Sequence, residues 1–409
     1  MWAKHLGRLK EQDDLIELLR MWMLEPEHDM VLTVHEALTQ MERMIHDHIQ
    51  SPADSRLSHL VPHIGSLHLD LKLVEALEEL EQRTALTQRR YIPPTFSEFR
   101  QLFNYATVHA VASTVKFITF DADDTLYKPG HCMQKTDWIV EALLALLQCG
   151  MTISIVTAAG YPRQPDKYEA RMEGLLATMR DRKLPEEQRK RFLVMGGQCN
   201  YLCRVTEDYH LEDVPREEWA SEALNWDPAA VESLLDKAEA TLREATSRLR
   251  LEVTVIRKER TVGCINTKPD RIPYESLEDV TLCIQHELKD SPVPCCAFNG
   301  GTDVFVDVGD KCLGVRALQS YLGFTSNQTL HFGDGFFRTG NDVRVRDVAH
   351  TMWVSNPEET AQLLHILLKD LTYTMPSPVT RPTESPAVWT VAGQTAELGD
   401  LSLGTPQPK

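Results

Sequence analysis

The stretch Lys116-Phe117-Ile118-Thr119-Phe120-Asp121-Ala122-Asp123-Asp124-Thr125-Leu126-Tyr127 constrains this chain more than any other. A short apolar run that stops abruptly predicts a buried parallel strand, and here the stop consists of three carboxylates followed by a hydroxyl. Open α/β sheets bind ligands beyond the carboxyl ends of their strands, so such a strand would deliver Asp121 and Asp123 to a site. Two carboxylates two residues apart can share a divalent cation, one attacking phosphorus while the other moves a proton. Carboxylates at strand ends also cap the helices that follow, so the rest of the chain decides between the two meanings.

Two further apolar runs end in the same manner. Thr152-Ile153-Ser154-Ile155-Val156 stops at Thr157-Ala158-Ala159-Gly160, where a hydroxyl and exposed backbone N–H groups can hold phosphate oxygens. Thr329-Leu330-His331-Phe332 stops at Gly333-Asp334-Gly335, with Gly340-Asn341-Asp342 close behind, and residues 350–354 read as the last core strand. Before that third run Lys311 precedes Leu313, Val315, Leu318 and Leu322 at helical spacing, which places the lysine at a helix start. Basic residues favour the opposite terminus, so a lysine there is better explained by an anion that it meets.

A chain of 409 residues is long enough for two or three domains, since single cores stop growing beyond roughly 250–300 residues. Residues 1–112 read as a helical layer without catalytic motifs; Thr95 and Glu98 form a capping-box pattern before its last helix. The core is expected at 113–160 and again at 300–373. Between them, residues 161–299 mix helices with strands, including a long helix opened by Asp227-Pro228 and the alternating run 252–257. An inserted α+β domain that closes over a small substrate fits this texture. Residues 374–409 are rich in Pro, Ser and Thr and read as a disordered tail.

The net charge of −17 argues against a nucleic-acid or anionic-membrane partner. No apolar run reaches the length of a bilayer span and no signal-peptide pattern opens the sequence. Nine cysteines without a C-x-x-C pair predict reduced thiols and a cytoplasmic protein, and argue against zinc or disulfide frameworks.

Together the strand and helix ends present Asp-x-Asp, Thr, Lys and Gly-Asp in chain order. This set resembles the four motifs of the haloacid dehalogenase-like phosphohydrolases, and the insertion between the second and third motifs resembles their type 2 cap. The implied fold is α/β: a Rossmann-like core with a parallel sheet, an inserted α+β cap and a helical N-terminal region. Val156-Thr157-Ala158-Ala159-Gly160-Tyr161, Met195-Gly196-Gly197 with Tyr201-Leu202, Gly300-Gly301-x-Asp303 and Lys311-x-x-Gly314-Val315-Arg316 are further similar to the IMP-specific 5′-nucleotidases. Asp47-His48-Ile49-Gln50-Ser51 and Leu60-Val61-Pro62 fit as well, so the similarity covers about residues 10–370.

That resemblance implies Mg²⁺-dependent hydrolysis of IMP to inosine and phosphate. Asp121 would be the nucleophile that forms an aspartyl-phosphate, and Asp123 the acid and base. Asp121, the backbone carbonyl of Asp123 and Asp334 would hold the metal, with Asp342 touching it through water. Thr157 and Lys311 would clamp phosphate, and Gly160, Arg171 and Asp307 would join Asp123 in binding substrate. The Met195-Gly196-Gly197-Gln198 turn would bring backbone donors to the base. By the valine alternation around it, Asp307 also fits an exposed strand position. The family resemblance further implies ATP as an effector and a homotetramer assembled through residues 1–112. Asp124, Pro129 and Gly160 depart from the family pattern. The competing readings are a sugar-phosphate phosphatase or phosphomutase on the same core, and a non-catalytic nucleotide-sensing scaffold; the presence of both Asp121 and Asp123 argues against the scaffold.

Overall fold

The computed structural model describes residues 13–371 except 25–32, 62, 63, 65, 66, 93, 222, 223, 269 and 270. Pro62 and the tail expected at 374–409 lie outside the described residues. Five helices come first: α1 (Asp14–Leu24), α2 (Val34–Gln50), α3 (Arg56–Leu60), α4 (Leu73–Thr84) and α5 (Phe96–Val111). Thr95 and Glu98 close the expected capping box at the start of α5, and Thr33 and Glu36 close a second one at α2. In this arrangement the side chain of each N-cap satisfies an orphan N–H of the first turn.

The core alternates strands and helices: β1 (Phe117–Phe120), α6 (Trp138–Gln148), β2 (Thr152–Val156), α7 (Pro165–Arg171), α8 (Glu173–Asp181), α9 (Glu186–Arg189), β3 (Phe192–Gly196), β4 (Tyr201–Val205), β5 (Leu211–Asp213) and α10 (Arg216–Trp219). A second unit follows with α11 (Pro228–Arg248), β6 (Val253–Lys258), β7 (Thr261–Asn266), α12 (Tyr274–Leu288), β8 (Cys295–Asn299) and β9 (Asp303–Val308). The chain returns to the core through α13 (Lys311–Leu322), β10 (Thr329–Gly333), β11 (His350–Trp353) and α14 (Pro357–Asp370).

Seven strands form one sheet in the order β11-β10-β1-β2-β3-β4-β5. It is parallel from β11 to β3 and ends in the antiparallel pairs β3–β4 and β4–β5. Helices cover it, so β1, β2, β3 and β10 are buried along their whole length, which is why they read as continuous apolar runs. β1 lies at the switch point: Ile118 pairs with Ile153 of β2 on one side and with Leu330 of β10 on the other. A groove therefore opens beyond the end of β1, where Asp121 stands. This parallel-rich sheet has the α/β architecture with a central parallel sheet that the motifs implied.

The second sheet is antiparallel throughout, ordered β6-β7-β9-β8. Val231, Leu235 and Leu242 of α11 and Leu277 and Ile284 of α12 pack with Val262, Val304 and Val306 in one apolar cluster. Asp227 caps α11 by accepting the Ala230 N–H at 3.1 Å, with Pro228 following it.

The boundaries expected at 161–299 and 300–373 differ from those observed. β3, β4 and β5 belong to the core sheet, so the second unit begins near Asp227, and β9 belongs to that unit, so the core resumes at Lys311. An apolar run announces a buried strand without saying which sheet it joins. Among the described residues no helix is long and apolar enough to cross a membrane, and all nine cysteines are free.

Candidate active site

Asp121 leaves the end of β1 with its N–H bonded to the Phe332 carbonyl of β10 at 2.8 Å, so the strand pairing itself aims the carboxylate. The chain then turns tightly: Leu126 N–H bonds to the Ala122 carbonyl at 2.8 Å and Asp124 N–H to the Tyr127 carbonyl at 2.9 Å. Asp124 takes φ +54°, a conformation that Asp tolerates better than an apolar residue would.

Lys311, the first residue of α13, is 0% exposed, and its Nζ lies 2.6 Å from an oxygen of Asp121 and 2.6 Å from one of Asp342. The anion inferred from a lysine at a helix start is thus supplied by the protein itself. The remaining capacity of Asp342 is used as well: His331 Nε2 lies 3.0 Å from Oδ1, and the Gly335 N–H donates to Oδ2 at 2.8 Å. Thr119 and His331 are register partners in the β1–β10 ladder, and Thr119 Oγ1 lies 2.8 Å from His331 Nδ1. Burial lowers the His331 pKa; a neutral ring that donates from Nε2 and accepts from Thr119 satisfies every partner.

Carboxylate oxygens of Asp121, Asp334 and Asp342 lie within 4.8 Å of one another. Burial pushes Asp121 up to about 7 despite Lys311. Burial and then the charges of Asp121 and Asp342 raise Asp334 well above the carboxylate range. Burial would likewise raise Asp342, but Lys311 and His331 hold it well below that range. Lys311, which burial alone would depress, is held above its ordinary value by its two carboxylates. With Asp342 fully bonded, Asp121 and Asp334 are left as crowded hard oxygen donors that a divalent cation would relieve, a donor set that fits Mg²⁺.

Asp123 is exposed on the open side of the groove, outside the carboxylate group. Surrounding protein raises its carboxyl, opposed first by Arg171. Arg171 ends α7 and donates to the His131 carbonyl at 3.0 Å, so it stands over the loop near Asp123. Thr157 follows β2 and is buried, its Oγ1 accepting the Ala159 N–H at 3.1 Å. A Cβ at Gly160 would stand in ordinary contact with the Tyr201 ring at 3.4 Å and Gly197 at 3.5 Å. Its carbonyl lies 3.3 Å from Lys258 Nζ of the second unit.

Two expectations need correction. Asp307 is not an exposed strand residue but is 1% exposed, and both of its oxygens are taken, by Thr261 Oγ1 at 2.6 Å and Gln198 Nε2 at 3.1 Å. Burial pushes its carboxyl up to about 6. Interior β9 has the β3–β4 turn against it, so alternation does not carry Asp307 to solvent. That turn in its turn has no free backbone donors at residues 197–200, because these N–H groups bond to the carbonyls of Ala159, Thr157, Gly197 and Gly196.

The sequence places His331, Gln198 and Asp303 within its motifs but assigns their side chains no role. A polar residue inside an otherwise apolar buried strand was the available signal for His331. Asp303 opens β9, and burial followed by the charge of Asp123 pushes its carboxyl up to about 6.

The profile of a family described as IMP-specific 5′-nucleotidase matches residues 24–364. A relative named IMP-specific 5′-nucleotidase 1 from Neurospora crassa is 39% identical over 357 residues, spanning 80% of this chain and 83% of its own. One of the same name from Plasmodium falciparum is 33% identical over 384 residues, spanning 88% and 84%. Among solved structures, the IMP-bound, N-terminally truncated Plasmodium falciparum IMP-nucleotidase matches with a TM-score of 0.81 at 33% identity, over 90% of this chain and 100% of that one. The ATP-bound Plasmodium falciparum IMP-nucleotidase matches with a TM-score of 0.78 at 33% identity, over 91% and 89%.

Proposed function

Because the chain belongs to the IMP-specific 5′-nucleotidase family and is a phosphoric monoester hydrolase, we propose that it hydrolyses IMP to inosine and phosphate with Mg²⁺ as cofactor. The observation that carries this reading is Asp121, fixed at the switch point between Lys311 and the Asp334 carboxylate. Asp121, the Asp123 backbone carbonyl and Asp334 would hold the ion, whose contribution is to neutralise charge on the transferring phosphoryl group.

An oxygen of Asp121 attacks phosphorus, forming an aspartyl-phosphate as the P–O5′ bond breaks and Asp123 gives its proton to the leaving oxygen. A raised carboxyl at Asp123 suits a donor that must be protonated when the nucleotide arrives. The Asp123 carboxylate then takes a proton from water, the water oxygen attacks phosphorus, and phosphate leaves with the Asp121 carboxylate restored. Lys311 turns its ammonium from Asp121 toward the phosphoryl oxygens, and the Thr157 hydroxyl donates to them. Gly160 and Arg171 line the nucleotide side, while Asp307 acts on it through Gln198. The four-stranded unit is the type 2 cap in this scheme.

The same reading makes ATP an effector, consistent with the ATP-bound relative, assembles a homotetramer through the helical layer and places the protein in the cytoplasm. The deciding assay is phosphate release from IMP, AMP, GMP and hexose phosphates, with Mg²⁺ and with chelator, using Asp121→Asn as control. Selective, metal-dependent release from IMP that vanishes in the variant is expected. Equal turnover of all substrates, or none, would sink the assignment. Sedimentation and kinetics with and without ATP, together with cell fractionation, check the remainder.

A further inference from the structure

The loop that carries Asp334 and Asp342 is gripped from outside the sheet it grows from. Thr339, part-way along it, is 0% exposed and donates from Oγ1 to Glu278 Oε2 at 2.7 Å. Glu278 belongs to α12 of the four-stranded unit and is itself buried. The same oxygen accepts Asn299 Nδ2 at 3.3 Å, and the Asn299 N–H donates to the Thr339 carbonyl at 3.1 Å. Tyr274, one turn earlier on α12, lies alongside: burial, then the charge of Glu278 and more weakly that of Asp334, raise its phenol.

The base of the loop is closed by the core alone, through the reciprocal Gly335–Asp342 bonds of 3.0 and 2.8 Å. Its outer part is closed by the second unit. Asn299 also starts the turn that ends at Asp303, whose carboxyl is raised in part by the charge of Asp123. One hairpin thus bonds the carboxylate-bearing loop and ends within reach of the charge of Asp123. A purely architectural contact would be more stable as an apolar one, since a buried carboxylate carries a desolvation cost. Directional bonds suit a contact that has to form and break.

We propose that Glu278, with Asn299 and Thr339, is a latch through which closure of the four-stranded unit positions Asp334 for the divalent cation. The residues act through the loop and touch neither substrate nor ion; the inference rests on the metal-dependent reading above. Closure and metal affinity are then linked, each strengthening the other by the same factor.

Calorimetric titration of Mg²⁺ into the substrate-free full chain tests this, run on wild type, Glu278→Ala, Thr339→Val, their double variant and Glu278→Gln. Loss of such supporting bonds is expected to weaken Mg²⁺ binding about tenfold or more in the two single variants, with little further loss in the double. Glu278→Gln keeps an acceptor for Thr339 and is expected to recover most of the affinity. Amide exchange over residues 335–341 is expected to speed up in the same variants that lose affinity. Variants that unfold at lower temperature yet bind Mg²⁺ within roughly twofold of wild type would overturn the latch, since supporting residues of a metal site are worth more than that. If wild type itself binds no Mg²⁺, the metal reading fails separately. Amide exchange then decides the latch: faster exchange in the variants keeps the grip on the loop, and unchanged exchange removes it.

Discussion

Replacing Asp342 with Asn removes one of the two negative charges that keep the buried Lys311 protonated, and leaves His331 facing an amide. Breaking a buried pair of this kind is expected to cost about 3 kcal/mol, read by urea denaturation of the metal-free chain. The Asp342 carboxyl is held below its unfolded value, so its contribution is full above the unfolded pKa of about 4 and is lost as pH falls toward the folded value. Wild type and variant are therefore expected to converge in acid. Asp307 has the opposite sign. Its carboxyl is raised to about 6, so its favourable share is lost as pH rises through that value. Asp307→Asn stays neutral, and Gln198 can turn its amide so that Oε1, buried without a partner, accepts from the new side chain. Relative to wild type, the variant is expected to gain roughly 2 kcal/mol between about pH 4 and about pH 7, measured by denaturation across that range. Asp121, Lys311 and Asp334 are legible because their chemistry sits where an apolar pattern stops. Gln198 and Glu278 are not, because their partners lie 109 and 61 residues away and only the tertiary fold brings them together.

Individual elements were readable to within a residue or two wherever a cap or a long apolar face marked them, as with α5 behind Thr95 and α11 behind Asp227. Their allegiance was not. β3 is buried along its whole length, the mark of a parallel core strand, whereas the alternating run of β6 marks a sheet with one open face. That contrast was the signal for where the insertion begins. Its end is fixed by Gly309, at φ +78°, where a Cβ would stand 2.2 Å from Cys199 Sγ and 3.0 Å from the Trp226 ring. Gly309→Ala combines a left-handed backbone with a clash and is expected to lower stability by about 2 kcal/mol, checked by scanning calorimetry.

At the scale of the whole molecule, the helical layer is tied to the edge of the core. Asn104 of α5 exchanges bonds of 2.7 and 3.2 Å with the Trp353 backbone of β11, and Arg100 pairs with Glu359 at 2.9 Å, both side chains 5% exposed. A chain beginning at residue 94 keeps these ties. One beginning at residue 113 loses them together with the buried face of α5, Phe99, Leu102 and Val108 included, and is expected to be at least about 3–5 kcal/mol less stable than the chain from residue 94, read by thermal unfolding of the two. Deletions aimed at assembly or ATP response therefore belong before α5.

The ladder between β1 and β10 joins positions 212 residues apart, Thr119 and His331 among them. Such distant segments meet late in refolding, because loop closure must come before the contacts that reward it. The second unit, built from neighbouring strands and helices, has no such delay. Since the Asp121 N–H waits for Phe332, the carboxylate proposed as nucleophile is among the last groups to find its place. Recovered turnover is expected to lag behind recovered helical signal, and a nascent chain stays catalytically silent until β10 has been made.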